Sequence, residues 1–284
     1  MKNYKIIFFT ALALITVLVW YAALSLALHR NLVIHFFDVG QGDAAFMELP
    51  NGRQVLIDGG PGSGILAKLG SVMPFWDRTI DLVIVTHPHA DHLDGLIDVL
   101  KRYTVRMVIE SGAAYPSADY SQWQRLLKEK NVNVVSARAG QHVALSDMAR
   151  LDILTPTQDF SQQTPANIHD AIVISRISYG STTILFMGDA EKMSEYQMLF
   201  SGMPIASDVL KIGHHGSKTS SVQDFLAAVH PQYAVISVGR KNRYGHPHQE
   251  VIERIKKLGI SLLRTDTDGD IVFESDGMRI APLR

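Results

Sequence analysis

Residues His87-Pro88-His89-Ala90-Asp91-His92 follow directly on Leu82–Thr86, a short apolar stretch that reads as a buried strand. Four potential metal ligands in six residues are out of proportion to a chain with 12 His in 284 residues. His89 and Asp91 alternate from His87 along what reads as an extended loop, so neighbouring side chains point to different centres. Such a run supplies two ligands to one cation and two to another about 3.5–4 Å away. Imidazole and carboxylate are borderline-to-hard ligands, suited to Zn²⁺, Mn²⁺ or Fe.

The composition narrows what chemistry the cluster can do. There is no Cys, which excludes disulfides, thiolate zinc sites, iron–sulfur clusters and Cys nucleophiles. A transition-metal site must therefore be built from His and carboxylates. Lys+Arg total 27 against 28 Asp+Glu, which excludes a grip on nucleic acid by bulk charge but not a local basic patch. A hydrophobic content of 46% with 19% charged residues is that of a chain able to bury a core.

Upstream, Lys2 and Lys5 precede an uncharged run from Ile6 to Leu28, which His29 and Arg30 close. A bilayer span needs about 20 such residues. Only Thr10, Thr16 and Ser25 interrupt the run, so it lacks the polar face of a core helix. It exceeds the usual signal-peptide core of about 7–15 residues, which favours a signal anchor. Ser25-Leu26-Ala27 offers the competing reading, a cleavable signal peptide and a secreted product. With the lysines on the N-terminal side, the rest of the chain is expected outside the cytoplasm.

Downstream, Leu32–Val39, Ala44–Leu49 and Gln54–Asp58 read as strands, with Pro50-Asn51-Gly52 as a hairpin turn. Helical spacing runs through Leu93–Tyr103 and Ser117–Lys130. Strands are predicted at Asn133–Ser136, Arg150–Thr155, Ala171–Ser178 and Thr182–Met187, and a helix at Glu191–Phe200. Strand Asp208–Ile212, helix Val222–Val229, strand Tyr233–Ser237 and helix Gln249–Leu258 follow. The chain closes on strands near Ser261–Arg264, Asp270–Glu274 and Met278–Ala281. This order predicts one α/β (α+β) domain with two mixed sheets and helices outside them.

The His87–His92 pattern resembles the HxHxDH signature of the metallo-β-lactamase fold superfamily. Within it, the chain resembles the hydrolase domain of the competence protein ComEC and its free-standing relatives. The matching segments are Phe37–Asp43, Leu56–Gly60, Thr86–Gly95, Met187–Glu191, Leu210–Ser217 and Ile236–Pro247. One departure is His89, where the ComEC domain often carries Asp. The resemblance implies a four-layer αββα sandwich over residues 31–284, which follows the N-terminal segment of residues 1–30 read above as a transmembrane anchor or signal peptide. It also implies a dinuclear site at the edge between the sheets. There, His87 and His89 hold one metal, with His169 as its third ligand, although the ComEC pattern often has Asn at that position. Asp91 and His92 hold the other, completed by one of His214 and His215, with the choice open. Asp189 bridges the two, and Gly188 before it permits a sharp turn at the strand end. Asp58 is implied as an outer carboxylate that orients the ligand loop, a role compatible with a turn-forming Asp before Gly59-Gly60.

Two divalent cations, Zn or Mn, would lower the pKa of a shared hydroxide and aim it at an electrophile. No GxSxG elbow or Ser-His-Asp arrangement competes. Lys211, Ser217, Lys218, Arg240, Lys241, Asn242 and Arg243 lie in segments that flank the expected site. Of these Ser217, Lys218, Arg240 and Asn242, with Tyr244, are expected to bind substrate, because Arg grips phosphate bidentately and loop Ser and Gly expose donors. Asp91 and His246 are expected to be catalytic, His246 as general acid to an alkoxide leaving group. Asp38 and Asp43 are no obvious ligands, His29, His35, His142 and His230 have no motif context, and His248 reads as a helix-start residue. The expected activity is a metal-dependent phosphodiesterase or nuclease acting on single-stranded DNA or another phosphodiester outside the cytoplasm. The alternatives are a cell-envelope phosphocholine-type esterase and a non-catalytic nucleic-acid-binding module. A chain with one span at most cannot be a channel, so an uptake role would require a partner.

Overall fold

Leu32, Ile34 and Phe36 are buried while Val33 and His35 are half-buried, the period of two that makes strand β1 (Leu32–Phe36). The computed structural model describes residues 2–27 and 31–283, so the readings made for Leu28, His29 and Arg30 lie outside it. After helix α1 (Lys2–Ala27), β1 leads to β2 (Ala45–Glu48), β3 (Gln54–Ile57), α2 (Gly64–Val72), β4 (Thr79–Ile84) and α3 (Ala90–Arg102). Next come β5 (Thr104–Glu110), α4 (Ala118–Glu129), β6 (Asn133–Ser136), β7 (His142–Ala144), β8 (Ala149–Ile153) and β9 (Ser175–Tyr179). Then follow β10 (Thr182–Phe186), α5 (Lys192–Phe200), β11 (Val209–Lys211), α6 (Gln223–Val229) and β12 (Tyr233–Ile236). The chain ends with α7 (Gln249–Lys257), β13 (Ser261–Arg264), α8 (Thr265–Asp268), β14 (Ile271–Ser275) and β15 (Ile280–Leu283).

The strands form an eight-stranded sheet, β15-β14-β1-β2-β3-β4-β5-β6, and a seven-stranded one, β13-β12-β11-β10-β9-β8-β7. Ile34, Met47, Val55 and Ile84 of the first pack between the sheets against Leu151, Ile177, Phe186 and Val235 of the second. The outer face of the first sheet, through Phe46, Leu56 and Val83, buries Leu93, Leu96 and Trp123 of α3 and α4. The second sheet does the same for Phe225, Leu226, Val251 and Ile255 of α6 and α7. The layers are therefore helix, sheet, sheet, helix, as the resemblance implied. β3 through β6 are parallel, and β10 through β13 are parallel, so their C-terminal ends form one common edge.

Four elements escape the sequence reading: α2, β5, β7 and α8. β5 follows α3 after the single residue Tyr103, and its first half is partly exposed, so the helical pattern runs into it unbroken. The strand read as Ala171–Ser178 starts only at Ser175, because Ile168–Ala171 forms a 3₁₀ turn. The expected extended loop ends at His89. Helix α3 begins at Ala90, which puts Asp91 and His92 in its first turn, about 100° apart around the axis.

α3 sits unusually close to the first sheet. A Cβ on Gly95 would lie 2.0 Å from the Gly59 carbonyl oxygen, and one on Gly59 would lie 2.6 Å from the Leu96 nitrogen. Gly59 N donates to His92 O at 2.7 Å, and Gly95 N donates to Gly60 O at 2.9 Å. The Asp58-Gly59-Gly60 turn thus clamps the ligand-bearing first turn of the helix directly to the strand end.

Candidate metal centre

β4 ends at Ile84, and Thr86, His87 and His89 leave it toward the C-terminal edge. Asp43 joins them from the β1–β2 connection and Asp58 from the end of β3. From the second sheet come Asp189 after β10 and His214-His215 after β11. Asp58, His214 and His215 have left-handed backbones, with φ of 56°, 47° and 53°. For residues with a Cβ such geometry costs on the order of 1–3 kcal/mol each and persists where the surroundings enforce it.

Among the described residues, two four-residue groups of donor atoms result, each within 4.8 Å: His87, His89, His169 and Asp189, and Asp91, His92, Asp189 and His215, flanked by two three-residue groups, His169 with Glu191 and His214, and Asp43 with Asp58 and His92. Asp189 belongs to both four-residue groups. Its Oδ1 lies 3.3 Å from His92 Nε2 and 3.3 Å from His215 Nε2, while Oδ2 lies 3.7 Å from His87 Nε2. His215 Nε2 is 3.4 Å from Asp91 Oδ2. The choice left open between His214 and His215 takes a form here. His215 joins the second group, whereas His214 groups with His169 and Glu191, its Nδ1 donating to Glu191 Oε1 at 3.2 Å.

Several of these rings are fixed from behind. Asp58 is fully buried and accepts from the backbone N (2.8 Å) and hydroxyl (2.6 Å) of Thr86. Its Oδ2 also accepts from His92 Nδ1 at 2.8 Å, which turns His92 Nε2 toward Asp189. The Thr86 hydroxyl in turn accepts from His87 Nδ1 at 3.1 Å. His215 Nδ1 donates to the Ser237 carbonyl at 2.9 Å and lies 3.2 Å from Asp43 Oδ1. Asp43 is itself paired with Lys211.

The donor set fits a pair of divalent cations. His92 Nε2, His215 Nε2, His169 Nε2 and Asp189 Oδ1 are buried with no hydrogen-bond partner, and all four point at the shared space. Orphaned atoms of this kind are rare unless a ligand satisfies them. Burial works against ionisation of Asp189, yet His215 and His92 hold its carboxyl well below the usual range. Burial likewise opposes the imidazolium of His215, but Asp189 and Asp43 push its pKa up to about 10. Protons thus sit where cations would replace them, the ordinary coupling of metal binding to proton release.

A cavity of about 180 Å³ opens onto this centre, lined by Gln41, His89, Asp91, Asp189, Tyr244 and His246, with His214 and His215. Tyr244 is 51% exposed and stacks on His246 at 5.7 Å, and the Arg243 guanidinium lies 5.1 Å from the Tyr244 ring centre. Burial and the nearby His215 and His214 lower the His246 pKa to about 4. His246 stands on the wall of this cavity, beside His214 and His215.

The remaining rim expectations divide. Lys218 is exposed on the connection after the paired histidines. Ser217 is buried with its hydroxyl on Thr219 at 3.0 Å. Arg240 turns away to the Asp266 carbonyl. Asn242 spans its own loop, donating to the carbonyls of Gly239 and His246 and accepting from the backbone of Tyr244 and His246. It shapes the loop that carries Tyr244 and His246, where a substrate contact was expected. Lys211 is not on the rim at all: it is 3% exposed and locked to Asp43. Sequence reasoning missed Asp43, Lys211, Thr86 and Glu191 as members of the centre, although each falls inside a segment quoted for the resemblance. His248 does start a helix, as the residue before α7.

Comparison with known proteins agrees with this geometry. The family model for the metallo-beta-lactamase superfamily matches residues 37–240. ComE operon protein 3 of Bacillus subtilis is 31% identical over 261 residues, covering 84% of this chain and 32% of that protein. Competence protein ComA of Neisseria gonorrhoeae is 29% identical over 247 residues, covering 84% of this chain and 31% of that protein. The chain therefore spans about a third of the length of these relatives. Among solved structures, Igni18, a metallo hydrolase from Ignicoccus hospitalis, superimposes with a TM-score of 0.56 at 14% identity, over 86% of this chain and 98% of that one.

Proposed function

The chain belongs to the metallo-beta-lactamase superfamily, and from that premise we propose that it is a metal-dependent phosphodiesterase acting on single-stranded DNA or a similar phosphodiester outside the cytoplasm. The observation that carries the reading is the pair of donor groups sharing Asp189 beneath a cavity rimmed by Tyr244 and His246, with the Arg243 guanidinium against the Tyr244 ring. His87, His89, His169 and Asp189 would hold one cation, and Asp91, His92, His215 and Asp189 the other, Zn or Mn. When bound, the two cations supply Lewis acidity and bring the pKa of water toward neutrality.

The chain's own residues supply the rest. Asp58 and Thr86 fix the rings of His92 and His87, so the free nitrogens are aimed before any substrate arrives. Asp91, half-buried in the first turn of α3, reaches the cavity with a carboxylate that can hold or accept a proton at Oδ2. His246, on the cavity wall, is placed to offer a hydrogen bond or a proton to a leaving oxygen. Tyr244, exposed and stacked on His246, gives a nucleobase a face to lie on, as in proteins that bind single strands without reading sequence. A β-lactam has no use for such a stack. The names of the relatives, one of them a competence protein, support a DNA substrate. α1 supports a membrane anchor: Tyr4–Tyr21 is exposed with a mean hydropathy of 1.9 and Lys5 near its start as its one charged residue, and the Thr10 and Thr16 hydroxyls are spent on Ile6 O and Leu12 O at 2.8 Å.

The test is the detergent-purified full chain loaded with Mn²⁺ or Zn²⁺. Cleavage of single-stranded DNA and bis-p-nitrophenyl phosphate, with a lactam and a thioester untouched, is the expected result. Preference for a teichoic-acid-like ester would turn the reading to envelope polymers. DNA binding without turnover, unchanged by Asp189→Ala, would make the chain a binding module.

A further inference from the structure

The strand directions give this molecule a definite polarity. The metal centre lies at the edge where β3, β4 and β10–β12 end. β1 begins at the other edge, its Leu32 opposite Ser275, the last residue of β14. Only five Cα steps separate Ala27, the end of α1, from Leu32. Fully extended, those steps reach at most about 18 Å. From Thr79 at the start of β4 to His87 is eight residues, or roughly 25 Å of strand.

The edge that carries Leu32 also carries an exposed aromatic pair. Phe75 and Trp76, in the turn before β4, are 81% and 71% exposed and meet edge to face at 4.8 Å. The turn is closed by Asp77 N on Pro74 O at 2.9 Å and held down by Gln54 Nε2 on Asp77 at 2.7 Å. Soluble surfaces seldom display such a pair, whereas membrane interfaces favour Trp beside basic residues. Basic side chains lie along the same edge: Arg53 before β3, Arg78 before β4, Arg102 before β5, and Lys128 and Lys130 before β6. The acids nearby are already engaged. Asp77 accepts from Gln54 and Thr79, Asp81 pairs with Arg106, and Asp98 pairs with Lys101.

We propose that this edge is the bilayer-facing surface of the protein. Phe75 and Trp76 seat in the interfacial layer, the basic side chains lie against anionic lipid headgroups, and the metal centre faces water on the far side. The proposal rests on reading Tyr4–Tyr21 as a span. It deepens the proposed function by stating which phosphodiesters the site reaches: those of a solute or polymer in the aqueous phase, and not those of the bilayer in which the chain is anchored.

The absence of Cys makes the test direct, since a single introduced Cys takes a spin label alone. Phe75→Cys and, near the opposite edge, the exposed Met193→Cys are labelled in the full chain and placed in phosphatidylglycerol–phosphatidylcholine nanodiscs. Collision of the label with oxygen, against collision with a water-soluble nickel chelate, reads depth. A ratio several-fold higher at 75 than at 193 is expected, falling at least two-fold when Arg102→Glu and Lys130→Glu are added. Equal ratios at 75 and 193, or hydrolysis of the nanodisc phospholipid, overturn the proposal. Cleavage of an oligonucleotide by the same discs is scored separately. A deep label at 75 without cleavage sinks the hydrolase reading alone, and cleavage with a water-exposed 75 sinks the orientation alone.

Discussion

Behind His92 stands Asp58, and behind His215 stand the Ser237 carbonyl and Asp43, with Lys211 beyond. On the other side of Asp189, His87 has only the Thr86 hydroxyl behind it, and His89 and His169 are half-buried on a helix start and a 3₁₀ turn. Glu191 groups with His169 and His214 within 4.8 Å, but among the described residues no carboxylate is hydrogen-bonded to the His89 or His169 ring. Two donor groups of the same size, sharing one carboxylate, are thus held very differently. A ring fixed from behind presents its free nitrogen before the cation comes. A ring on a loop must be ordered by the binding itself, which costs affinity. The Asp91–His92–His215 half should therefore fill first and empty last, and the His87–His89–His169 half should exchange.

The largest blow to this contrast is Asp189→Ala, which removes the ligand both halves share. Bound metal should fall from two ions per chain to below one, and kcat/KM should drop by roughly a thousand-fold or more. Elemental analysis with phosphodiester kinetics reads both, and two retained ions would end the two-group description. Next is Lys211→Met, which strands the buried Asp43 carboxylate and should cost about 3–5 kcal/mol of stability in urea unfolding of the apo chain. Its pH dependence has a fixed sign. Burial would raise the Asp43 pKa, but Lys211 and His215 bring it from 3.8 to about 2. That stability, about 2 kcal/mol, is present above pH 3.8 and lost as the pH falls toward 2. The gap between wild type and Lys211→Met should narrow over that window, and a constant gap would refute the assignment.

Smaller effects separate the halves. Asp58→Asn keeps the volume but weakens the hold on His92, and should lower the affinity of the tighter ion by about 10–100-fold. His169→Ala should weaken only the other ion, by about ten-fold. A chelator titration followed by isothermal calorimetry distinguishes the two. If His169→Ala strips the tighter ion first, the assignment of the halves is reversed.

What the sequence could show of this follows the range of each interaction. His87 to His92 lie within one turn and a strand end, so their clustering is visible in the chain itself. Asp189 and His215 were reachable only through motifs that resemble a known family. The Asp43–Lys211 pair joins residues 168 positions apart, and no local pattern marks a lysine that will be buried, so it was read as part of the basic rim. Asn242 was misplaced for a related reason. A loop residue that bonds its own backbone has the same sequence context as one that faces a ligand. The strand before α4 was lost because β5 abuts α3 with no turn residue between them.

The two donor groups draw on both sheets, since neither contains four ligands until Asp189 is in place and the second also needs His215. During synthesis the motif at His87–His92 emerges early, and for most of the remaining chain it has no counterpart to close around a cation. A growing or partly folded chain is therefore a poor scavenger of metal, and loading reports that both sheets have docked. In the finished molecule each cation held as proposed would tie the first half of the chain to the second, and the metal would act as a clasp as well as a reagent. Its removal should loosen the seam between the sheets before it disturbs either sheet alone.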